Sequence, residues 1–371
     1  MKLIILKDNL REALARVERG VGESNNLPIL KNVLCETKGS ALKLSTTNLE
    51  LGIQTEAAGK VSEEGAVTVP LHAFYTIVQS VDAERITLEA DERSLLVKTD
   101  NYHARIQGMS HEEFPIIPAL ESEQTTIVVP GDVFAEAVAS VAYAAQLSEI
   151  RPELGGVLID FQVTVLKLVA TDSFRLAEKN IITKHLKTTA KGGLKAIVPL
   201  RTMNEASRVF ARDGELTLSL DKNQILMNDG KTRLISRLLG GTYPDYEQII
   251  PKKNEFSFSV ERERLMSGVR LVGTFSGKVN DIKMRTKDGA KVLEIFAASR
   301  ELGENNYLVP IKTEGGELSE VSFNWRYLLD GLKAMSGKEV SIGISGDARP
   351  AAIKPADDST YLYILMPIKG S

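Results

Sequence analysis

Two short stretches carry part of what a phosphate-binding loop needs, and both stop short of it. Gly230-Lys231-Thr232 has the lysine and the hydroxyl, but Ile225 stands where the loop requires its first glycine. Gly277-Lys278 runs into Val279, with no Ser or Thr to reach a magnesium ion. Without the full backbone cradle both stretches read as turns. Metal chemistry is no better supported. His72, His103, His111 and His185 are scattered, and the single cysteine, Cys35, cannot complete a zinc site of the usual kind. There is no G-x-S-x-G elbow, and no G-x-G-x-x-G follows a strand. The 49 Asp and Glu residues are numerous, but spacing does not show which converge. The sequence therefore predicts no bound cofactor, no metal and no catalytic centre; an enzyme with a cleft between repeats is kept as a distant alternative.

What the chain does show is a repeated element. An extended segment runs into a short amphipathic helix at Leu6, Pro70, Pro130, Pro199, Glu261 and Asn324, at intervals of about 60–70 residues. Four places on from each stands an apolar residue: Leu10, Phe74, Phe134, Met203, Leu265 and Leu328. Further apolar residues follow at helical spacing, so each helix must bury one face against a sheet. Residues 41–47, 85–90, 94–99, 164–170, 215–220 and 291–297 alternate or are rich in β-branched residues, and turn residues such as Asp229-Gly230 and Asp288-Gly289 bound such runs. Pro70, Pro130 and Pro199 are expected to open their helices at the first position, where a missing N–H costs nothing. Six units pair most economically into three domains, 1–124, 125–252 and 253–371, with breaks at the polar stretch Glu121–Thr125 and near Pro251–Asn254. The fold class is α+β, each domain being two helices on antiparallel sheets.

The 371 residues carry a net charge of −3, which argues against simple electrostatic capture of nucleic acid. A single cysteine excludes an intramolecular disulfide and fits a reducing cytoplasm. No apolar run approaches the roughly 20 residues needed to span a bilayer, and no leader pattern opens the chain, so a cytoplasmic location is expected.

A set of motifs carries more specific information. Leu154-Gly155-Gly156-Val157-Leu158, Thr171-Asp172-Ser173-Phe174-Arg175-Leu176-Ala177 and Tyr243-Pro244-Asp245-Tyr246 stand in order. Asn324 through Leu332 and Tyr361-Leu362-Tyr363-Ile364-Leu365-Met366-Pro367-Ile368 complete the set, with Leu27-Pro28-Ile29-Leu30 and Leu234-Ile235-Ser236-Arg237-Leu238 beside it. Together with the six repeats, these make the whole chain closely resemble the bacterial sliding clamp, the beta subunit of DNA polymerase III. The resemblance implies the DNA clamp fold, with two head-to-tail subunits closing a ring around duplex DNA, helices lining the hole and sheets forming the rim. Topological retention needs only weak, sequence-independent contacts, which accommodates the acidic net charge. The implied function is a non-enzymatic processivity factor for DNA replication that tethers the polymerase alpha subunit, the clamp loader, other polymerases and repair proteins.

The resemblance also implies site residues. Cations expected to face DNA are Arg11, Arg16, Arg151, Arg201, Arg208, Arg264, Arg326 and Lys333, each of which could equally be a solvated helix residue paired at i,i+4. A hydrophobic pocket for short motifs rich in Gln, Leu and Phe would be walled by Leu154, Thr171, Phe174, Arg175, Leu176, Pro244, Ile249, Val279, Asn324, Tyr327, Pro350, Ile364, Leu365, Met366, Pro367 and Ile368. Its Asn, Thr and Arg are expected to fix peptide polar groups. For Leu154, Leu176, Ile364 and Leu365 a core role is the competing expectation. The subunit interface would use the edge strand around His103 and Ile106 and the helix end near Leu271 and Val272. This chain departs from the family pattern at Ser173-Phe174, where Gly-His or Ser-His is frequent, and at the tail Ile368-Lys369-Gly370-Ser371, where Arg-Leu is common. The loops Gly22–Asn26 and Leu147–Arg151, which align with DNA-touching loops of the family, hold only Arg151 as a cation. A scaffold that uses the pocket without encircling DNA is the nearer rival.

Overall fold

Each of the six expected helices begins one residue after the position that the repeat marks. They are α1 (Lys7–Val17), α2 (Leu71–Ser80), α3 (Gly131–Val141), α4 (Leu200–Val209), α5 (Arg262–Gly273) and α6 (Trp325–Ala334). The structure is a computed structural model that describes residues 1–120, 125–148, 150–162, 164–182, 187–188, 193–212 and 214–369. His185, the expected domain break at 121–124, Glu149 of the loop at 147–151, and Gly370 and Ser371 of the tail lie outside the described residues.

The apolar stripes behave as their spacing requires. Leu10, Phe74, Phe134, Met203 and Leu265 are fully buried, and Leu328 is nearly so. In α1 the burial of Leu10, Ala13, Leu14 and Val17 defines one face, while Asp8 in the first turn and Arg16 in the last complement the helix dipole. The prolines correct one expectation. Pro70 has φ −54° and ψ 114° and caps α2 from outside, as the last residue of the strand Gly65–Pro70. It faces Asn32 in the ladder, so the missing N–H falls at the end of a strand rather than inside a helix. Pro130 and Pro199 likewise end the strands Thr125–Pro130 and Leu194–Pro199.

The chain divides into two compact units. The first comprises Met1–Ala135, Leu186–Ala190 and Asn204–Leu238 and contains a 13-stranded antiparallel sheet. Within it, the strand Thr232–Arg237 pairs with Leu51–Glu63 in the register Ser236 to Leu51. The strand His103–Gln107 ends one path of this sheet and, among the described residues, pairs only with Ser94–Lys98. The second unit, Glu136–His185, Lys191–Met203 and Leu239–Ser371, holds a nine-stranded and a four-stranded sheet. Gly331 of α6 lies so close to Tyr363 that a Cβ there would meet the ring at 2.4 Å, which explains why a glycine interrupts the helix. Among the described residues no helix is long and apolar enough to cross a membrane.

Candidate functional site

In the second unit, Arg175–Ile182 pairs antiparallel with Tyr361–Leu365, setting Arg175 opposite Leu365 and Leu176 opposite Ile364. Beyond the ladder the backbone N–H of Met366 donates to the Phe174 carbonyl at 2.9 Å, and that of Ile368 donates to Ser322 at 2.8 Å. Two motifs that lie far apart in sequence are thereby joined along one sheet.

The turn before Arg175 is built from its own side chains. Thr171 Oγ1 accepts from Ser173 N–H and donates to the Arg175 carbonyl, at 3.2 and 2.7 Å. Asp172 Oδ1 accepts from the backbone N–H groups of Phe174 and Arg175, both at 2.9 Å. Ser173 takes φ 77°, the left-handed conformation a non-glycine residue seldom adopts. The turn leaves the Phe174 side chain outside; the residue is 60% exposed.

Arg175 is the hub beneath it. Its Nε donates to Asp172 Oδ2 at 3.0 Å and its Nη1 to Asp330 Oδ2 at 2.8 Å. The guanidinium lies 4.3 Å from the Tyr327 ring centroid and 5.5 Å from that of Tyr143. Tyr363 donates its hydroxyl to the Tyr327 carbonyl at 2.8 Å. Burial drives the Tyr143 and Tyr363 phenols well above their ordinary pKa, so both remain neutral. Asp330, Tyr143 and Tyr363 had no assigned role in the sequence reading. Asp330 stands three places after Tyr327 on α6, a spacing that sets both on one helix face.

The remaining wall residues fall into two groups. Leu154, Leu176, Ile364, Leu365 and Pro367 are buried. Leu176 and Ile364 join Leu158, Val169, Tyr246 and Leu362 in one core cluster, so they support the surface from behind. Pro244 and Ile249 flank Tyr246, with Ile249 exposed and Pro244 half-buried. Val279 is 59% exposed; the adjacent Asn280 carbonyl accepts from Trp325 N–H, and Asp281 faces Asn324, which places Val279 beside the start of α6. Pro350, Met366 and Ile368 are half-buried, Pro350 immediately preceding Ala351, the ladder partner of Leu365.

The polar groups expected to hold a peptide are largely engaged within the chain. Asn324 Oδ1 caps α6 by accepting from the N–H groups of Arg326 and Tyr327 at 3.0 and 3.4 Å. Thr171 closes the turn, and Arg175 holds two carboxylates. The wall side chains that remain exposed, Phe174, Ile249 and Val279, are apolar.

The expected cations differ among themselves. Arg16 is only 11% exposed; its guanidinium meets Asp229 at 3.1 Å, Glu12 at 3.1 Å and Thr232 at 2.5 Å. It is a cross-link inside the first unit and not a cation free to meet a phosphate, which corrects the expectation for this residue. Burial raises the Glu12 pKa, but hydrogen bonding from Arg212 and the charges of Arg212 and Arg16 outweigh it and hold the carboxyl below its usual range. Arg11 pairs with Asp8, Arg208 with Glu205 and Arg264 with Glu261, all one helical turn apart and exposed. Arg326 stacks 5.4 Å from the Trp325 ring centroid, and Arg201 and Lys333 are exposed. Arg151 bonds Glu153 and Ser173, each at 3.1 Å. Of the interface residues, His103 and Leu271 are exposed, whereas Ile106 and Val272 point into the core. The edge strand Gly303–Pro310 of the four-stranded sheet, with Leu308 52% exposed, carried no sequence expectation. Among the described residues no cluster of three or more His, Cys, Asp or Glu could hold a metal ion.

Three consecutive family models match the chain: the DNA polymerase III beta subunit N-terminal domain over residues 1–118, the central domain over 128–245 and the C-terminal domain over 247–369. The chain belongs to the DNA polymerase III beta subunit family. It is 28% identical to the beta sliding clamp of Synechococcus elongatus, over 100% of this chain and 99% of that one. It is 25% identical to that of Bacillus subtilis, over 100% of both. Among solved structures, a sliding clamp from Pseudomonas aeruginosa bound to griselimycin superposes with a TM-score of 0.93 at 26% identity, covering 100% of each chain. The structure of the DNA polymerase III beta subunit from Thermotoga maritima gives a TM-score of 0.91 at 25% identity, again over 100% of both chains. The α+β arrangement of helices on antiparallel sheets is the three-domain clamp fold of this DNA replication family.

Proposed function

We propose that this family member works as a non-enzymatic clamp in the cytoplasm: a head-to-tail homodimer of three-domain subunits that encircles duplex DNA and tethers partner proteins through the surface around Phe174. The three domains are 1–124, 125–252 and 253–371. The observation that carries this reading is the match of three successive clamp domains along the full chain, each containing two of the six helices.

Arg11, Arg151, Arg201, Arg208, Arg264, Arg326 and Lys333 supply weak contacts to the DNA backbone. Carboxylates beside Arg11, Arg151, Arg208 and Arg264 keep those contacts modest, which suits sliding better than a run of tight phosphate pairs. Ring closure draws on two strand edges, His103–Gln107 in one subunit and Gly303–Pro310 in the other, with His103, Leu271 and Leu308 at the contact and Ile106 and Val272 packed behind it. Joining two exposed edges satisfies backbone groups that would otherwise invite aggregation. Short motifs rich in Gln, Leu and Phe, from the polymerase alpha subunit, the clamp loader, other polymerases or repair proteins, place their apolar side chains against Phe174, Val279 and Met366.

Retention on DNA tests the ring. The protein is loaded on nicked circular DNA by a clamp loader, and the bound fraction is followed at moderately high salt before and after the circle is cut. Release on linearisation is expected. Equal retention on both forms would establish conventional binding and remove the ring from the proposal.

A further inference from the structure

We infer that the first unit carries a second peptide-docking groove, selective for an aliphatic side chain flanked by one acidic and one basic residue. The inference rests on reading the Phe174 surface as a peptide site, because the chain builds the same device twice. Thr47 Oγ1 accepts from Leu49 N–H and donates to the Leu51 carbonyl, both at 3.0 Å. Asn48 Oδ1 accepts from the N–H groups of Glu50 and Leu51 at 3.0 and 2.8 Å. Each of these bonds has its counterpart in the turn of Thr171 and Asp172. Leu49 even takes φ 77°, the value found at Ser173. The closing strand repeats as well: Arg237 N–H donates to the Glu50 carbonyl at 3.1 Å, as Met366 does to Phe174, and Ser236 faces Leu51 as Leu365 faces Arg175.

Around this second turn lies a cavity of about 460 Å³ whose lining includes Leu49, Leu51, Pro115, Ile117, Ile235 and Arg237. Leu49 stays 49% exposed although its backbone is held in a conformation unfavourable to a branched side chain. Ile117 reaches the floor because Gly52 has no side chain; a Cβ there would meet Ile117 at 2.8 Å. The two grooves differ in charge. Glu50 occupies the place of Phe174 and Arg237 that of Met366; both are exposed and, among the described residues, neither forms an ion pair. An apolar floor between opposite unpaired charges suits an aliphatic anchor with a carboxylate toward Arg237 and an ammonium toward Glu50. It does not suit the Phe-containing motifs proposed for the first groove, which would leave both charges without partners.

The test uses the full chain with isoleucine methyls labelled and two fluorescein-tagged probes, Gly-Asp-Leu-Ile-Lys-Gly and Gly-Lys-Leu-Ile-Asp-Gly. One of them is expected to shift the Ile117 and Ile235 methyl signals and leave Ile364 in place. Arg237→Glu and Glu50→Lys should each weaken that probe about tenfold, and the double reversal E50K/R237E should instead favour the opposite probe. Phe174→Ala with Met366→Ala should not alter probe binding, and thermal melts check that each variant is folded. No shift at Ile117 and Ile235 up to ~1 mM of either probe overturns the inference, as does binding indifferent to both charge reversals. Failure of the proposed first groove would be seen separately, as a Gln-, Leu- and Phe-rich peptide leaving the Ile364 signal unmoved.

Discussion

The amide of Met366 donates to the carbonyl of Phe174 across 2.9 Å. That single bond joins the outermost residue of a side-chain-built turn to the C-terminal strand, so the two apolar side chains are positioned by one ladder. Phe174 is 60% exposed and Met366 half-buried, an arrangement that leaves apolar surface available without opening the core.

Truncating that surface should therefore separate binding from folding. Phe174→Ala with Met366→Ala is expected to weaken a fluorescent peptide rich in Gln, Leu and Phe by at least about tenfold, or ~1.4 kcal/mol. The melting temperature should shift little. Pro367→Ala is a less clean probe because Pro367 is buried. Fluorescence anisotropy alongside thermal melts checks both halves; unchanged peptide affinity would return Phe174 to a packing role.

Arg175 presents the opposite case. It is only 12% exposed and bridges the nearly buried Asp172 to Asp330 while lying over the Tyr327 ring. Arg175→Ala leaves Asp172 without its cation and should cost about 3 kcal/mol in urea unfolding. Arg175→Lys keeps the charge but loses the planar fork, so its cost should fall between zero and that value. A loss under ~1 kcal/mol for Arg175→Ala would mean that Asp172 is satisfied by the turn amides alone.

The contrast between these residues shows what sequence could disclose. All six helix starts were legible because burial imposes a 3.6-residue period that survives in a single chain, as at Leu10, Leu14 and Val17. The Thr171–Ala177 and Tyr361–Ile368 motifs were legible through resemblance. Whether Leu176 and Ile364 belong to the core or to the pocket wall stayed open in sequence, since an aliphatic residue looks the same on either side of a sheet; burial assigns both to the core. Arg16 was misread because Asp229 lies 213 positions away and no local pattern announces it. The fate of Asn324 could have been anticipated, because Asn before an amphipathic run is a preferred helix cap.

Glu294 supplies a pH signature that is independent of any ligand. Its side chain is only 3% exposed and accepts from Arg285, Lys287 and Asn306 at 2.6, 2.6 and 2.9 Å. Burial raises the carboxyl pKa, but the three hydrogen bonds and the Arg285 charge win, bringing it down to about 2 from 4.5. A carboxyl whose pKa is depressed on folding contributes stability that is complete above its unfolded pKa and disappears as pH falls toward its folded one. The contribution should thus be full above about pH 5 and lost progressively down to about pH 2, amounting to roughly 3 kcal/mol at neutrality. Glu294→Gln should be destabilised by roughly 2–3 kcal/mol at pH 7, and the gap to the parent protein should narrow as pH falls from 5 to 3. Urea unfolding across that range measures it directly. A gap that stayed constant with pH would assign the loss to packing and hydrogen bonding instead of to the ionised carboxylate.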